Sequence, residues 1–316
     1  MKVLFISSSN NTNNKPSNIV LAQGESLKLL GVEIDYFGIK GKGILGYLKN
    51  IRLIKNHLNK NKYDVIHAHF ALCGVVAYLA KKRERLVVSL MGDDIIGMVD
   101  NVGNKTIKGR IFTYINKFFC KYFFDINISK SKNIAQALLK NTQTEIIPNG
   151  VNFQTFKPIA KDEARKLLNL NESKKIILFA TDPERPEKNF QLAQEGVNLL
   201  QDDSIELLVV HNIDQIKLNL YYNAVDIVLL TSFHEGSPNV IKEALACNAV
   251  IISTDVGDVN ENFMGILGVY ITPFDNLALS NIITLAFENS SSNGREKIEH
   301  LNSEIIANKI LAIYKN

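Results

Sequence analysis

Disulfide frameworks, cysteine metal sites, membrane spans and dinucleotide fingerprints are all missing from this sequence, and each absence narrows what the chain can be. Its three cysteines, Cys73, Cys120 and Cys247, are odd in number and lack the paired spacing of metal ligands. They suit a reducing cytoplasm. No uninterrupted apolar run nears the roughly 20 residues that cross a bilayer. The opening MKVLFISSSNN turns polar too soon for a secretory leader and reads as a first strand. No G-x-G-x-x-G follows an expected strand, which argues against a nicotinamide-dependent oxidoreductase. Neither an RNA-recognition nor a helix-turn-helix signature is present, so nucleic acid is the least favoured partner. No tract is disordered by composition, and 46% of the 316 residues are hydrophobic, ample for two cores.

What is present is asymmetric. Residues 1–155 hold 22 Lys and Arg against 10 Asp and Glu, a net +12, while the rest holds 14 against 22, a net −8. Such a split suggests two domains facing different partners, the basic one suited to an anionic membrane surface or a phosphorylated acceptor. Short β-branched runs at 3–7, 32–37, 64–69, 86–90, 125–129 and 145–147 read as strands. Helical patterns separate them at 19–30, 40–62, 71–80, 109–124 and 132–139. This alternation predicts a parallel sheet with helices on both faces. In such sheets ligands bind beyond the carboxyl ends of strands, where His67, His69, Met91, Gly92, Asp93 and Asp94 fall.

Two segments of this half allow two readings each. Residues 40–62 carry seven basic residues and no acidic one, with Ile44, Leu48, Ile51, Ile54 and Leu58 at helical spacing. They form either an ordinary surface helix or an amphipathic basic helix for a membrane surface. The aromatic stretch GRIFTYINKFFCKYFF, 109–124, is either a core-facing helix or one that dips into a membrane interface beside Arg110, Lys117 and Lys121.

The second half repeats the alternation, with a helix at 162–168, strands at 175–180, 205–210, 226–231 and 250–253, and a last helix near 304–314. Its organising stretch is AVDIVLLTSFHEGSPNVIKEALACNAVIISTDVGDV, 224–259. A buried strand runs into the turn 232–237, a helix follows over 238–246 with proline in its first turn, and the next strand closes a βαβ unit. Glu235 and Glu243 stand at the mouth of that helix and inside it. The free amides of Gly236, Ser237, Asn239 and Val240 would point out of its N-terminus toward an anion.

The HEGSPNVIKEALAC segment, with Glu235 and Glu243 eight apart and TDVGD behind the next strand, resembles the E-x7-E signature of retaining family-4 glycosyltransferases. PNGVN, 148–152, looks like the PNGVD that closes their N-terminal domain. TDPERPEK, 181–188, looks like their phosphate-binding loop. SLMGDD, 89–94, matches their His-Gly-x-Asp motif, with Met91 standing where the histidine would be.

The resemblance implies an α/β chain of the GT-B fold: two doubly wound Rossmann-like domains with parallel sheets facing an interdomain cleft. An acceptor-side domain would span 1–152 and a nucleotide-sugar domain 153–316, with the last helix packing back on the first domain. It implies that Glu243 binds ribose hydroxyls and Glu235 hydroxyls of the transferred sugar. Gly236, Ser237, Pro238, Asn239 and Val240 would approach the donor, Arg185 and Lys188 would hold its diphosphate, and Asp94 would line the opposite wall as the second catalytic carboxylate. The loop after the first strand, SSNNTNNKPSN, would be either an acceptor loop or plain solvated chain, and His67 or His69 could stand in for the missing histidine.

The implied activity is metal-independent, retaining transfer from a nucleotide-sugar, UDP- or GDP-linked, to a saccharide or lipid-linked acceptor in surface-polysaccharide assembly. It would take place in the cytoplasm, at the inner membrane face if the basic half docks there. No cofactor is implied beyond the donor itself. A sugar-nucleotide epimerase of the same fold and a non-catalytic nucleotide-sugar-binding protein are the alternatives.

Overall fold

The computed structural model describes residues 1–10, 16–97 and 106–316. Residues 11–15 of the expected acceptor loop lie outside these. The described chain forms two compact units, the second being Val151–Asn302; the first takes the preceding chain and Ser303–Asn316.

In chain order the first unit runs β1 (Lys2–Ser8), α1 (Asn18–Lys28), β2 (Glu33–Ile39), α2 (Gly43–Leu48), α3 (Ile51–Lys60), β3 (Val65–His69), α4 (Ala71–Ala80), β4 (Arg85–Leu90), α5 (Asp93–Ile96), α6 (Ile107–Tyr122), β5 (Ile126–Ser129), α7 (Lys132–Gln136) and β6 (Thr144–Ile146). The strands form one parallel sheet ordered β2-β1-β3-β4-β5-β6. Val3 to Ile6 of β1 are fully buried on both faces, as expected of a central parallel strand. One face packs on α3, α4 and the end of α6, the other on α1 and the C-terminal segment.

The second unit runs α8 (Lys161–Leu168), β7 (Lys175–Phe179), a 3-10 turn (Pro186–Lys188), α9 (Phe190–Asn198), β8 (Ile205–Val209), α10 (Gln215–Ala224), β9 (Ile227–Leu230), α11 (Asn239–Ala246), β10 (Ile251–Thr254), α12 (Val259–Phe263), β11 (Val269–Thr272), α13 (Asn276–Glu288) and α14 (Gly294–Lys297). Its sheet is parallel in the order β11-β10-β9-β7-β8. Helices α9 and α13 cover one face, α10 and α11 the other. The connections reverse direction between β7 and β9, which makes that crevice the topological switch point.

The last helix, α15 (Ser303–Lys315), belongs to the first unit. Tyr314 shares a 2.5 Å hydrogen bond with Nδ1 of His67, and Arg85 Nη1 donates to the Ile313 carbonyl at 2.7 Å. The other nitrogen of His67 bonds Ser89 Oγ at 2.8 Å. His67 is therefore a buried strut, not a substitute for the missing histidine.

Three sequence expectations need correction here. The basic segment 40–62 is two helices, Gly43–Leu48 and Ile51–Lys60, with a turn at Lys49 and Asn50 between them. Buried Asn50 seals the break, its Nδ2 donating to the carbonyls of Lys40 and Gly46 at 2.8 and 2.9 Å. The helix expected over 132–139 ends at Gln136, where the Ala137 amide divides between the Asn133 and Ile134 carbonyls and the Leu138 amide turns to Ala135. Helix α11 starts at Asn239 with Pro238 as its N-cap, one residue later than read.

Candidate active site

All strands of the second unit run the same way, so the loops after β7, β9 and β10 gather at one edge. They are stitched together there. The Phe233 amide donates to the Glu187 carbonyl at 2.8 Å, and Thr231 Oγ1 donates to the carbonyls of Lys188 and Asn189 at 3.1 and 2.9 Å. From the other side Thr254 Oγ1 donates to the Ser232 carbonyl at 2.8 Å.

Lys188 and Glu235, 47 residues apart, meet in this crevice. Lys188 Nζ donates to Glu235 Oε1 at 2.6 Å, and Ser232 Oγ donates to the same oxygen at 2.7 Å. Their side chains keep only 11% and 14% of their surface exposed. The pair thus presents a weakly screened cation and carboxylate at the rim of the sheet. Arg185 lies apart from them: half exposed, it pairs with Glu187.

Behind Glu235 the loop is braced by Ser237 and Asp258 together with Lys242 and Asn262, two residues that sequence reading did not single out. Fully buried Lys242 on α11 donates from Nζ to Ser237 Oγ at 3.0 Å. Ser237 Oγ donates in turn to Asp258 Oδ2 at 2.7 Å, which also accepts from Asn262 Nδ2 at 3.0 Å. Burial pulls the Lys242 ammonium down to about 8 and pushes Asp258 upward. Gly257, with φ +64°, lets the loop carrying Asp258 press on this one: a Cβ there would come within 2.9 Å of the Gly236 carbonyl oxygen. The local sequence carries no signal for Lys242, because a lysine beside an apolar helix position fits a solvated face equally well.

Glu243, one turn into α11, is partly buried. Its Oε2 accepts from the Tyr222 hydroxyl of α10 at 3.1 Å. Burial pushes its carboxyl up to about 7, the tyrosine bond opposing. Of the segment before α11, Gly236, Ser237 and Pro238 are buried, while Asn239 and Val240 keep some exposed surface.

Asp94 departs from its expected role. It is fully buried, and its oxygens are taken by backbone amides: Ala71 at 2.8 Å, Met91 at 3.0 Å and Gly92 at 2.9 Å. Burial pushes it up to about 6. It shapes the β4–α5 turn and caps α4 instead of presenting a carboxylate. Met91 and His69 do share a cavity of about 280 Å³ at the carboxyl ends of β1, β3 and β4, with Ser7, Ser8, Ser17 and Phe70. This is where the first sheet's connections reverse. His69 is held neutral, its pKa lowered by burial to about 3, and its Nε2 makes no hydrogen bond. Phe70 holds φ +95°, a strained setting for a bulky residue.

Residues 20–155 match the family model described as Glycosyltransferase Family 4, and residues 164–289 match that described as Glycosyl transferases group 1. Among curated proteins, the chain is similar to the putative teichuronic acid biosynthesis glycosyltransferase TuaC of Bacillus subtilis, 26% identical over 242 residues, covering 70% of this chain and 60% of that protein. It is also similar to the D-inositol 3-phosphate glycosyltransferase of Thermobispora bispora, 24% identical over 301 residues, covering 77% and 66%. The chain thus spans about two thirds or less of the length of these relatives. Among solved structures it resembles sucrose-phosphate synthase from Thermosynechococcus elongatus, with a TM-score of 0.79 at 20% identity over 99% of this chain and 98% of that one. Anabaena Alr3699/HepE in complex with UDP and glucose gives 0.76 at 18%, over the whole of both chains. Identities this low speak for fold alone, the GT-B arrangement of two Rossmann-like domains. The two family models, one for each half, account for most of the described chain: it belongs to the family-4 glycosyltransferases.

Proposed function

We infer that this chain is a retaining glycosyltransferase that takes a sugar from a nucleotide-sugar, UDP- or GDP-linked, and passes it to a saccharide or lipid-linked acceptor in surface-polysaccharide assembly. The observation that carries the reading is the Lys188–Glu235 pair at the switch point, beside the N-terminal turn of α11. The UDP and glucose named with HepE, and the teichuronic acid named with TuaC, support the donor class and the setting.

The donor diphosphate displaces Glu235 from Lys188. The ammonium then neutralises the charge that builds on the leaving group, so the residues here need no metal for that task. Glu235, released, accepts hydrogen bonds from hydroxyls of the sugar. Arg185 swings from Glu187 to the diphosphate, and the backbone amides between Gly236 and Val240 approach it from the helix end. Glu243, backed by Tyr222, holds the ribose hydroxyls.

Transfer breaks the bond from anomeric carbon to phosphate oxygen, and the electron pair leaves on the diphosphate. The acceptor oxygen bonds the same face, and its proton passes to the departing phosphate oxygen. Ser7, Ser8 and His69 in the cavity of the first unit supply hydroxyl and imidazole groups for the acceptor. In this scheme a methionine at 91 removes no proton carrier.

The test is a donor panel. Purified protein is given UDP-, GDP- and ADP-sugars, and nucleoside diphosphate release is followed with and without a membrane lipid extract. Saturable release from one donor, lost in Lys188→Ala, is expected. Donor converted to an isomer without acceptor would replace this reading with an epimerase. Binding without turnover would replace it with a nucleotide-sugar-binding protein.

A further inference from the structure

Helix α6 is apolar on both of its sides, with Phe112, Phe119 and Phe123 packed on the core. On the inward side sit Thr113, Asn116 and Cys120, all buried, and Asn116 Nδ2 donates to the Asp94 carbonyl at 2.9 Å. On the outward side Ile107, Ile111, Tyr114, Ile115, Phe118 and Tyr122 follow helical spacing, with 39–78% of each surface exposed. Scattered exposed hydrophobics are ordinary, but an unbroken ridge along a four-turn helix marks a contact surface.

The charge around the ridge selects what covers it. Residues 106–124 include four basic residues and no acidic one. A second copy seated on this ridge by a two-fold axis would bring like charges together, whereas an anionic surface would meet them with opposite sign. Arg110, Thr113, Tyr114 and Lys117 line a cavity of about 230 Å³ with Ile96 and Gly97 at the flank of the ridge. That combination of cations and hydroxyls suits a phosphate headgroup. Helix α3, from the acid-free stretch 40–62, and α6 both pack on α4, on one face of the sheet. No described helix is long and apolar enough to cross a membrane.

We propose that α6 lies along the surface of an anionic bilayer. Its apolar ridge enters the headgroup–acyl boundary, its tyrosines sit at headgroup level, and Arg110 and Lys117 take a lipid phosphate. The proposal does not depend on the transferase reading, because it concerns only where the chain resides.

The test is co-sedimentation of the full chain with vesicles of phosphatidylcholine alone and of phosphatidylcholine mixed with phosphatidylglycerol. Binding to the mixed vesicles only, weakened by salt, is expected. Ile111→Ser/Phe118→Ser and, separately, Arg110→Glu each lower it by on the order of tenfold or more, with unchanged thermal melting because these side chains are exposed. Absence of binding to mixed vesicles overturns the proposal, as does binding that both variants retain. Competition by inorganic phosphate that abolishes binding where chloride at equal ionic strength does not overturns it too, because a free-anion site would then explain the pocket. A dimer by light scattering that Ile111→Ser/Phe118→Ser dissociates, without vesicle binding, would assign the ridge to a second copy.

Discussion

Lys188 Nζ donates a 2.6 Å hydrogen bond to Glu235 Oε1 across 47 residues of chain, at the carboxyl edge of the second sheet. Each holds the other's charge in a setting largely closed to solvent. In the proposed reaction a diphosphate exchanges one partner for another, so binding of the anion and release of Glu235 are one event.

That coupling has a kinetic signature. Lys188→Ala and Glu235→Ala are each expected to lower kcat/KM for donor turnover by about a hundredfold or more, the range for a lost charge-stabilising group. The double variant should lose much less than the product of the two, since both act on one exchange. Steady-state kinetics on the four proteins decides it, and strictly multiplicative losses would separate the two roles.

Stability should depend on pH through Glu243. Burial raises its carboxyl from the ordinary value near 4.5 to about 7. The folded chain therefore holds a proton that the unfolded chain has released. The favourable contribution is complete below the ordinary value and is lost as pH rises through about 7. Glu243→Gln keeps an acceptor for Tyr222 but cannot ionise, so it should gain on the wild type by roughly 3 kcal/mol between pH 4.5 and pH 8. Urea unfolding of both proteins across that range measures the gain, and parallel curves would refute it.

Gly257→Ala should damage a site it does not line. At φ +64° the added methyl is strained, and it meets the Gly236 carbonyl oxygen at 2.9 Å. A loss of about 1–3 kcal/mol in denaturant unfolding is expected, together with a raised KM for the donor as the Glu235 loop shifts. An unchanged KM would show that the loop tolerates displacement.

Asp94→Asn separates a shaping carboxylate from a catalytic one. Three amides donate to Asp94, and the amide nitrogen of asparagine would replace an acceptor with a donor. About 2–3 kcal/mol of stability should go, while turnover per folded molecule stays within a few-fold. A collapse of kcat at unaltered melting temperature would return Asp94 to the catalytic set.

The alternation of strands and helices could be read from the chain because buried parallel strands must be continuous apolar runs, as in Val3–Ile6 and Ile227–Leu230. Lys188, Glu235 and Glu243 could be picked out by the motifs around them. The burial of Asp94 could not be read, because a motif carries residue type, and the type does not reveal whether a carboxylate faces solvent or its own backbone. The break at 49–50 was missed because Asn50 ends the first helix through carbonyls of Lys40 and Gly46 that only the fold brings to it. The inward Asn116 on α6 was equally hidden: its burial is set by the Asp94 carbonyl it finds, not by its own polarity.

The sequence by itself determined the fold class and the division into a basic and an acidic half, because periodicity and charge are local properties of the chain. Only the tertiary structure decided which of the charged residues are partners and which face outward. It paired Lys188 with Glu235, left Arg185 with Glu187, buried Lys242 behind Ser237 and Asp258, and turned the aromatic ridge of α6 to the outside. Those outcomes depend on desolvation and on contacts between distant segments, and neither exists until the sheets have closed on their helices.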